Sequence, residues 1–285
     1  MKTPNQSQKQ VQNQEQSDPP REEKKSNRTP HISFSELKNW DRCPYYHKLT
    51  YIDNRRLFQG NEYTAFGTAV HSVCEKILLE EDMDPPEYFK HMFSKNLNEL
   101  TKKGVELKED MIVAMEKQGS ELSHLIHPAV KAYFKNYKVY SVEERLQEPI
   151  KEYVENEYDF KGYIDLVLKT EDNKYHIIDW KTCTWGWDSR KKADPMSVYQ
   201  LIFYKHYFAK KHDIDPENIE VHFGLLKRTA KKNQVELFRV TSGKKRSENA
   251  IKLLNKALYN INNKNYLKNR LSCRNCEFYK TEHCS

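Results

Sequence analysis

Two short runs rich in β-branched and aromatic residues, Tyr158 to Leu168 and Tyr175 to Lys181, are separated by little more than the polar stretch Thr170 to Lys174. A connection this short favours an antiparallel hairpin. With Lys169 set against Tyr175 across the turn, the register puts Asp165 directly opposite Asp179. Cross-strand neighbours have Cβ atoms about 5 Å apart, so two ionised carboxylates there repel unless a cation lies between them. Side chains alternate along a strand, so Asp179 and Lys181 project from one face and leave Trp180 on the other. The hairpin thus gathers two acids and an ammonium at one place. Alone, Asp-x-Lys is a weak motif, since solvated strand-end charges or a structural salt bridge also satisfy it.

An oxygen-rich site of this kind suits a hard divalent ion, Mg2+ or Mn2+, which binds few carboxylates and keeps several waters. The ion lowers the pKa of a retained water and offsets charge on a phosphoryl oxygen, while a nearby ammonium orients the attack. Phosphodiester hydrolysis is the chemistry that fits.

Along the chain, residues 1–30 are rich in Gln, Asn, Ser, Lys, Glu and Pro with almost nothing apolar to bury, which predicts a disordered polar tail. Folded structure is expected from His31, where Ser33 or Ser35 can cap a helix carrying Leu37 and Trp40 and leading to Cys43-Pro44. Gly67-Thr68-Ala69-Val70-His71 is read as the opening of a second helix, with Val70, Val73, Cys74 and Ile77 at helical spacing. Pro85-Pro86 ends that region, and residues 85–140 read as a helical insertion. Strands are then expected at Arg145 to Glu152, Tyr158 to Leu168, Tyr175 to Lys181, Glu220 to Lys227 and Gln234 to Val240. A helix from Pro195 to about Lys210, capped by Asp194, lies between the third and fourth strands. A last amphipathic helix carries Ile251, Leu254, Leu258 and Ile261. The order predicts an α/β fold with a central mixed sheet flanked by helices.

The acids have company. Gln200 and Tyr204 share a face of the helix after Lys181, where they could hydrogen-bond a metal-bound water, Lys181 or a nucleic-acid backbone. His71 and Glu75 share a face of the Gly67-Thr68 helix. Each pair alone is more often ordinary packing. Together, the order Gly-Thr-x-x-His, Gly-x-x-Asp, Asp-x-Lys, Gln-x-x-x-Tyr resembles the RecB-like branch of the PD-(D/E)XK nuclease superfamily. The resemblance spans Ser33 to Ser285 outside the helical insertion, and it implies a restriction-endonuclease-like core. It makes His71, Asp165 and Asp179 ligands of Mg2+ or Mn2+ with the Trp180 carbonyl as a fourth, Lys181 the catalytic lysine, and Gln200 and Tyr204 residues that orient substrate and site. Glu75 is an outside candidate.

The six cysteines, in a chain with no apolar leader at its N-terminus, favour thiols or metal ligands over disulfides. Cys273, Cys276 and Cys284 end the chain in a cysteine-rich tail, residues 265–285, at a spacing that lets the first two thiolates share a metal. The Ser33 to Leu37 segment followed by Cys43-Pro44 resembles RecB-like nucleases whose 4Fe-4S cluster joins one N-terminal cysteine to three C-terminal ones, among them AddB subunits and CRISPR-associated exonucleases. That resemblance makes Cys43 the fourth ligand of a structural cluster; structural Zn2+ would satisfy the same thiolates. Cys74 and Cys183 read as ordinary packed residues.

The excess of 48 Lys and Arg over 41 Asp and Glu suits a polyanion without requiring one. Trp185 and Trp187, followed by Arg190, Lys191 and Lys192, can stack bases and hold phosphates along a single strand; packed tryptophans in a solvated loop is the equal alternative. No run of apolar residues is long enough to span a bilayer, so a soluble, cytoplasmic protein with no signal peptide is expected, in the host cytoplasm if it is viral. The resemblance implies a DNA exonuclease acting on single-stranded ends in replication, recombination or repair, beside a helicase or recombination partner. A non-catalytic DNA-end-binding subunit and a structure-selective endonuclease are the alternatives.

Overall fold

A computed structural model describes residues 29–79 and 82–285. The polar stretch 1–30, expected to be a tail, lies outside those residues except for its last two. Strand β1 (His31–Ser33) runs directly into helix α1 (Phe34–Arg42), because the Ser33 hydroxyl accepts the Glu36 N–H at 3.2 Å and caps the first turn. Cys43 interrupts in extended conformation, and α2 (Pro44–His47) restarts with proline in its first turn. Helix α3 (Glu62–Ile77) begins before Gly67, where the sequence reading placed it, because Asn61 and Thr64 form a reciprocal capping box. Helices α4 (Pro85–Lys102) and α5 (Glu109–Phe134) follow, with Pro85-Pro86 opening α4 beneath an Asp84 cap.

Five further strands come next: β2 (Tyr137–Pro149), β3 (Asp159–Thr170), β4 (Tyr175–Cys183), β5 (Ile219–Lys227) and β6 (Val235–Val240). Between β4 and β5 lie α6 (Ser189–Ala193) and α7 (Pro195–His212), the latter capped by Asp194 as expected, and α8 (Lys244–Asn262) follows β6. Strand β2 is the main departure from expectation. It starts at Tyr137 rather than Arg145, inside the stretch assigned to helices, because Lys138 and Tyr140 are exposed and the alternate residues only half-buried. No apolar run marks its beginning.

The sheet is mixed, in the order β1-β3-β4-β5-β6 with β2 also paired to β3. β1 on β3 and β4 on β5 are parallel, and the other pairings are antiparallel. Since β2 covers one edge of β3 from end to end, β1 and β4 must share the other, at Asp159–Lys161 and Leu166–Lys169. Between them, Gly162 to Asp165 face no strand on that edge among the described residues. This notch becomes important below. One side of the sheet packs on α1, α7 and α8, through Leu37, Phe203, Tyr207 and Leu254. The other packs on α3, α4 and α5, through Val70, Phe93, Met115 and Ile126. The helices read as an insertion, α4 and α5, therefore join α3 in covering that side of the sheet.

Candidate active site

The hairpin register is the expected one, running from Lys169↔Tyr175 to Leu166↔Ile178. It stops one pair short of Asp165 and Asp179. There the strands part, and the Asp165 carboxylate replaces the missing ladder bond by accepting the Trp180 N–H on Oδ2 at 2.6 Å. Asp179 and Lys181 share the opposite face from Trp180, whose indole lies over Gly224 so closely that a Cβ there would meet the ring at 2.2 Å. Asp179 is 2% exposed. Its Oδ2 lies 2.6 Å from Lys181 Nζ, yet off the hydrogen-bonding direction, so this buried oxygen has charge compensation but no hydrogen bond. Burial pushes the Asp179 pKa up to about 6, Lys181 opposing the rise and the charge of Asp165 adding to it.

His71 arrives from α3, its Nδ1 3.7 Å from Asp165 Oδ1. Burial alone would lower its pKa, but Asp165, and behind it Asp179, outweigh that and hold it above the ordinary imidazole value. One turn on, Glu75 lies beside Glu143, a residue the sequence reading did not select. Glu143 falls between the pairs Val142↔Leu166 and Glu144↔Ile164, and so stands across β3 from Asp165. Its φ of 45° is costly for a non-glycine residue, a strain of the kind found at functional sites. Partial burial and the charges of Asp165 and Glu75 push it up to about 7. The available signal was the β2 register, which was lost when that strand was started at Arg145.

From the α7 side, Gln200 Nε2 donates to the Tyr204 hydroxyl at 3.0 Å. Burial raises the Tyr204 pKa, and the charge of Asp179 raises it further, which places the phenol in the field of the same carboxylates. Gly162 has a physical reason here: a Cβ would lie 2.9 Å from the Tyr204 ring. The Gly-x-x-Asp spacing therefore admits Tyr204 to the notch as well as placing Asp165.

His71, Asp165 and Asp179 surround the notch, with His71 and Asp165 3.7 Å apart but the three donor atoms not all within 4.8 Å of one another. The donor set fits a hard cation. Two carboxylates, one with a buried oxygen lacking any hydrogen bond, are what a divalent ion would relieve. After β4 the chain turns through Gly186, at φ 119°. Trp185 is 74% exposed there, whereas Trp187 packs against Phe223 with ring centroids 4.9 Å apart. Arg190 and Lys191 are exposed on α6. Lys192 is tied to Glu236 at 2.5 Å.

Away from the notch, Cys43, Cys273, Cys276 and Cys284 line a single cavity walled by Tyr45, Tyr46, Leu49 and Phe278. Main-chain and side-chain bonds draw the two ends of the chain to it: Arg42 donates to the Asn275 carbonyl at 2.6 Å, Asn269 to the Arg42 carbonyl at 2.8 Å, and Tyr46 to Glu277 at 2.9 Å. No three of the sulphurs lie within 4.8 Å of one another.

A model of the PD-(D/E)XK nuclease superfamily matches residues 31–281. No curated protein matches the chain. Among solved structures, one from Eubacterium rectale named "Putative exonuclease" superposes with a TM-score of 0.55 at 13% identity, over 88% of each chain. SSO0001 superposes with a TM-score of 0.42 at 13% identity, over 89% of this chain and 85% of its own. At that identity the first match shows a shared fold.

Proposed function

The chain belongs to the PD-(D/E)XK nuclease superfamily, and on that premise we propose that it is a Mg2+- or Mn2+-dependent deoxyribonuclease of the RecB-like branch, an exonuclease acting on single-stranded ends in replication, recombination or repair. The observation that carries this reading is the buried Asp179 carboxylate, paired with Lys181 and gathered with Asp165 and His71 at a notch in the sheet. His71, Asp165 and Asp179 would hold the ion, with the Trp180 carbonyl as a further donor. When bound, such an ion lowers the pKa of a coordinated water and offsets charge on the scissile phosphoryl group. Lys181, half-buried beside Asp179, orients the attacking water and stabilises the developing charge. Gln200 fixes the Tyr204 hydroxyl at the same notch. Trp185 offers an exposed ring for base stacking, and Arg190 and Lys191 phosphate contacts, Lys191 by leaving its bond to Ser197; Trp187 and Lys192 are engaged in holding that loop and act through it. Cys43, Cys273, Cys276 and Cys284 hold a structural 4Fe-4S cluster.

Metal affinity should rise with pH. Asp179, at about 6 in the metal-free fold, must be ionised before a cation is held, so the Mn2+ dissociation constant from calorimetry should tighten between about pH 5 and pH 8 and then level. A constant that does not change across that range would remove Asp179 from the ligand set.

End-labelled linear single and double strands, together with a closed single-stranded circle, test the activity in Mg2+ or Mn2+. Wild type is expected to degrade the linear single strand from its end and spare the circle, and Asp165→Ala to leave both intact. Cutting of the circle would make the enzyme an endonuclease; binding without cleavage would make the chain a non-catalytic DNA-end-binding subunit.

A further inference from the structure

The side of the sheet away from Asp179 and Lys181 carries a second constellation of ligating side chains. His176 lies on β4, and Glu220 and His222 lie two residues apart on β5. The parallel register sets His176 beside Glu220 and Ile178 beside His222, which brings all three side chains to one place at the start of both strands. His176 Nδ1 is 3.1 Å from His222 Nε2 and 3.8 Å from Glu220 Oε2, and that oxygen is 4.0 Å from His222 Nε2. These three atoms lie within 4.8 Å of one another. For comparison, two ligands at the usual zinc distances and tetrahedral angle are about 3.3 Å apart.

The surroundings select which atom of His176 and of Glu220 is presented, while His222 Nε2 hydrogen-bonds His176 Nδ1 and its own Nδ1 is buried without a partner. The Thr170 hydroxyl donates its single proton to Asp172 at 2.5 Å and so accepts from His176 Nε2, 2.9 Å away. The His176 Nδ1 lone pair is therefore left facing the other two ligands. This is the carboxylate-to-histidine relay that fixes tautomers at metal sites, here passed through a hydroxyl. Glu220 Oε1 is taken up by Arg239 at 2.8 Å and Lys174 at 3.4 Å, which turns Oε2 toward the imidazoles. His176 and His222 are 7% and 2% exposed, and Phe134 packs against both rings at 4.9 and 5.2 Å. An open cleft, bordered by Tyr133, Asn136 and Asp172, leaves a fourth direction to solvent.

The geometry points to a second metal site, His176, Glu220 and His222 with a solvent ligand, that takes a borderline divalent transition ion, Zn2+ by preference. Two imidazoles and one carboxylate are a zinc donor set, whereas a single imidazole among oxygen ligands, as at the notch, leaves a site for a harder ion. The two faces of the sheet thereby sort metals by softness: oxygen-rich at the notch, nitrogen-rich here. Bound there, the ion would clamp β4 to β5 next to the β3–β4 turn and the end of α5.

Co2+, which replaces zinc and is coloured, tests the site in the full-length protein as isolated. Wild type is expected to take up one equivalent more than His222→Asn or Glu220→Gln, the difference spectrum showing weak ligand-field bands without intense thiolate-to-metal absorption. Zn2+ should raise the melting temperature of wild type and not of either variant, while both variants keep wild-type nuclease activity. Equal uptake by wild type and variants, or a difference spectrum dominated by thiolate absorption, would overturn the assignment. Glu220 is only half-buried, so Glu220→Gln carries the test if His222→Asn does not fold.

Discussion

Asp179→Asn is expected to lower Mg2+-dependent DNA hydrolysis by about a thousandfold or more and, in the same protein, to raise the melting temperature of the metal-free fold at pH 8. The first effect follows from removing a ligand charge at a site where catalysis is electrostatic. The second follows from the sign of the pKa shift. Asp179 has its folded pKa raised to about 6, so its contribution to stability is fully present below the unfolded carboxylate range and is lost as pH rises through 6. Above that, the metal-free fold carries a buried charge that Lys181 only partly compensates. A two-unit shift corresponds to roughly 2 to 3 kcal/mol, and relieving it should raise the melting temperature by several degrees. The isosteric amide keeps the side-chain volume, so packing does not confuse the result. Single-turnover cleavage and calorimetry in chelator measure the two effects. If Asp179 served only as a structural partner for Lys181, the variant would melt lower, because half of an ion pair would be left behind; unchanged cleavage would place the chemistry elsewhere. A destabilised carboxylate retained in a core is the expected signature of a site kept for function rather than stability.

What could be read before the structure was largely what depends on short-range pattern. The turn Thr170 to Lys174 set the hairpin register because few residues separate the strands, and the cap and proline at Asp194 and Pro195 set α7. Asp165, Asp179, Lys181 and His71 gather at one notch, as the motif order implied. The losses have two physical causes. The start of β2 alternates only two half-buried residues, Tyr137 and Val139, with exposed Lys138 and Tyr140, so it was read as the end of a helical region, and Glu143 disappeared with it. The parting of β3 and β4 at Asp165 depends on β1 taking the far end of the same strand edge, a pairing between residues more than a hundred positions apart. Local register therefore predicted two facing acids, while the tertiary arrangement turned Asp165 to bond the Trp180 N–H. Likewise, nothing near His176 in the chain announces His222, because β4 and β5 become neighbours only through the α6 and α7 crossover.

Cys43→Ser is expected to bleach the protein and lower its melting temperature by about 10 °C while leaving the nuclease site chemically competent in whatever remains folded. Anaerobically purified wild type should be brown, and the variant colourless. The magnitude comes from loop closure: a link between Cys43 and Cys273 restrains more than two hundred residues, and cross-links over loops of that length remove unfolded-state entropy of about 5 kcal/mol. In a fold of this size each kcal/mol shifts melting by about 2 to 4 °C. The full value is not expected. Arg42 with Asn275, Asn269 with the Arg42 carbonyl and Tyr46 with Glu277 also tie the ends together and survive the substitution. Those bonds distinguish two outcomes. With a cluster in place, removing one ligand should loosen residues 265–285 first, seen as faster amide exchange in that segment before any change near Asp179. With four unmetallated thiols, a serine would fill the same cavity at little cost, and neither colour, melting nor exchange would move. A colourless wild type containing one zinc would replace the iron and keep the staple.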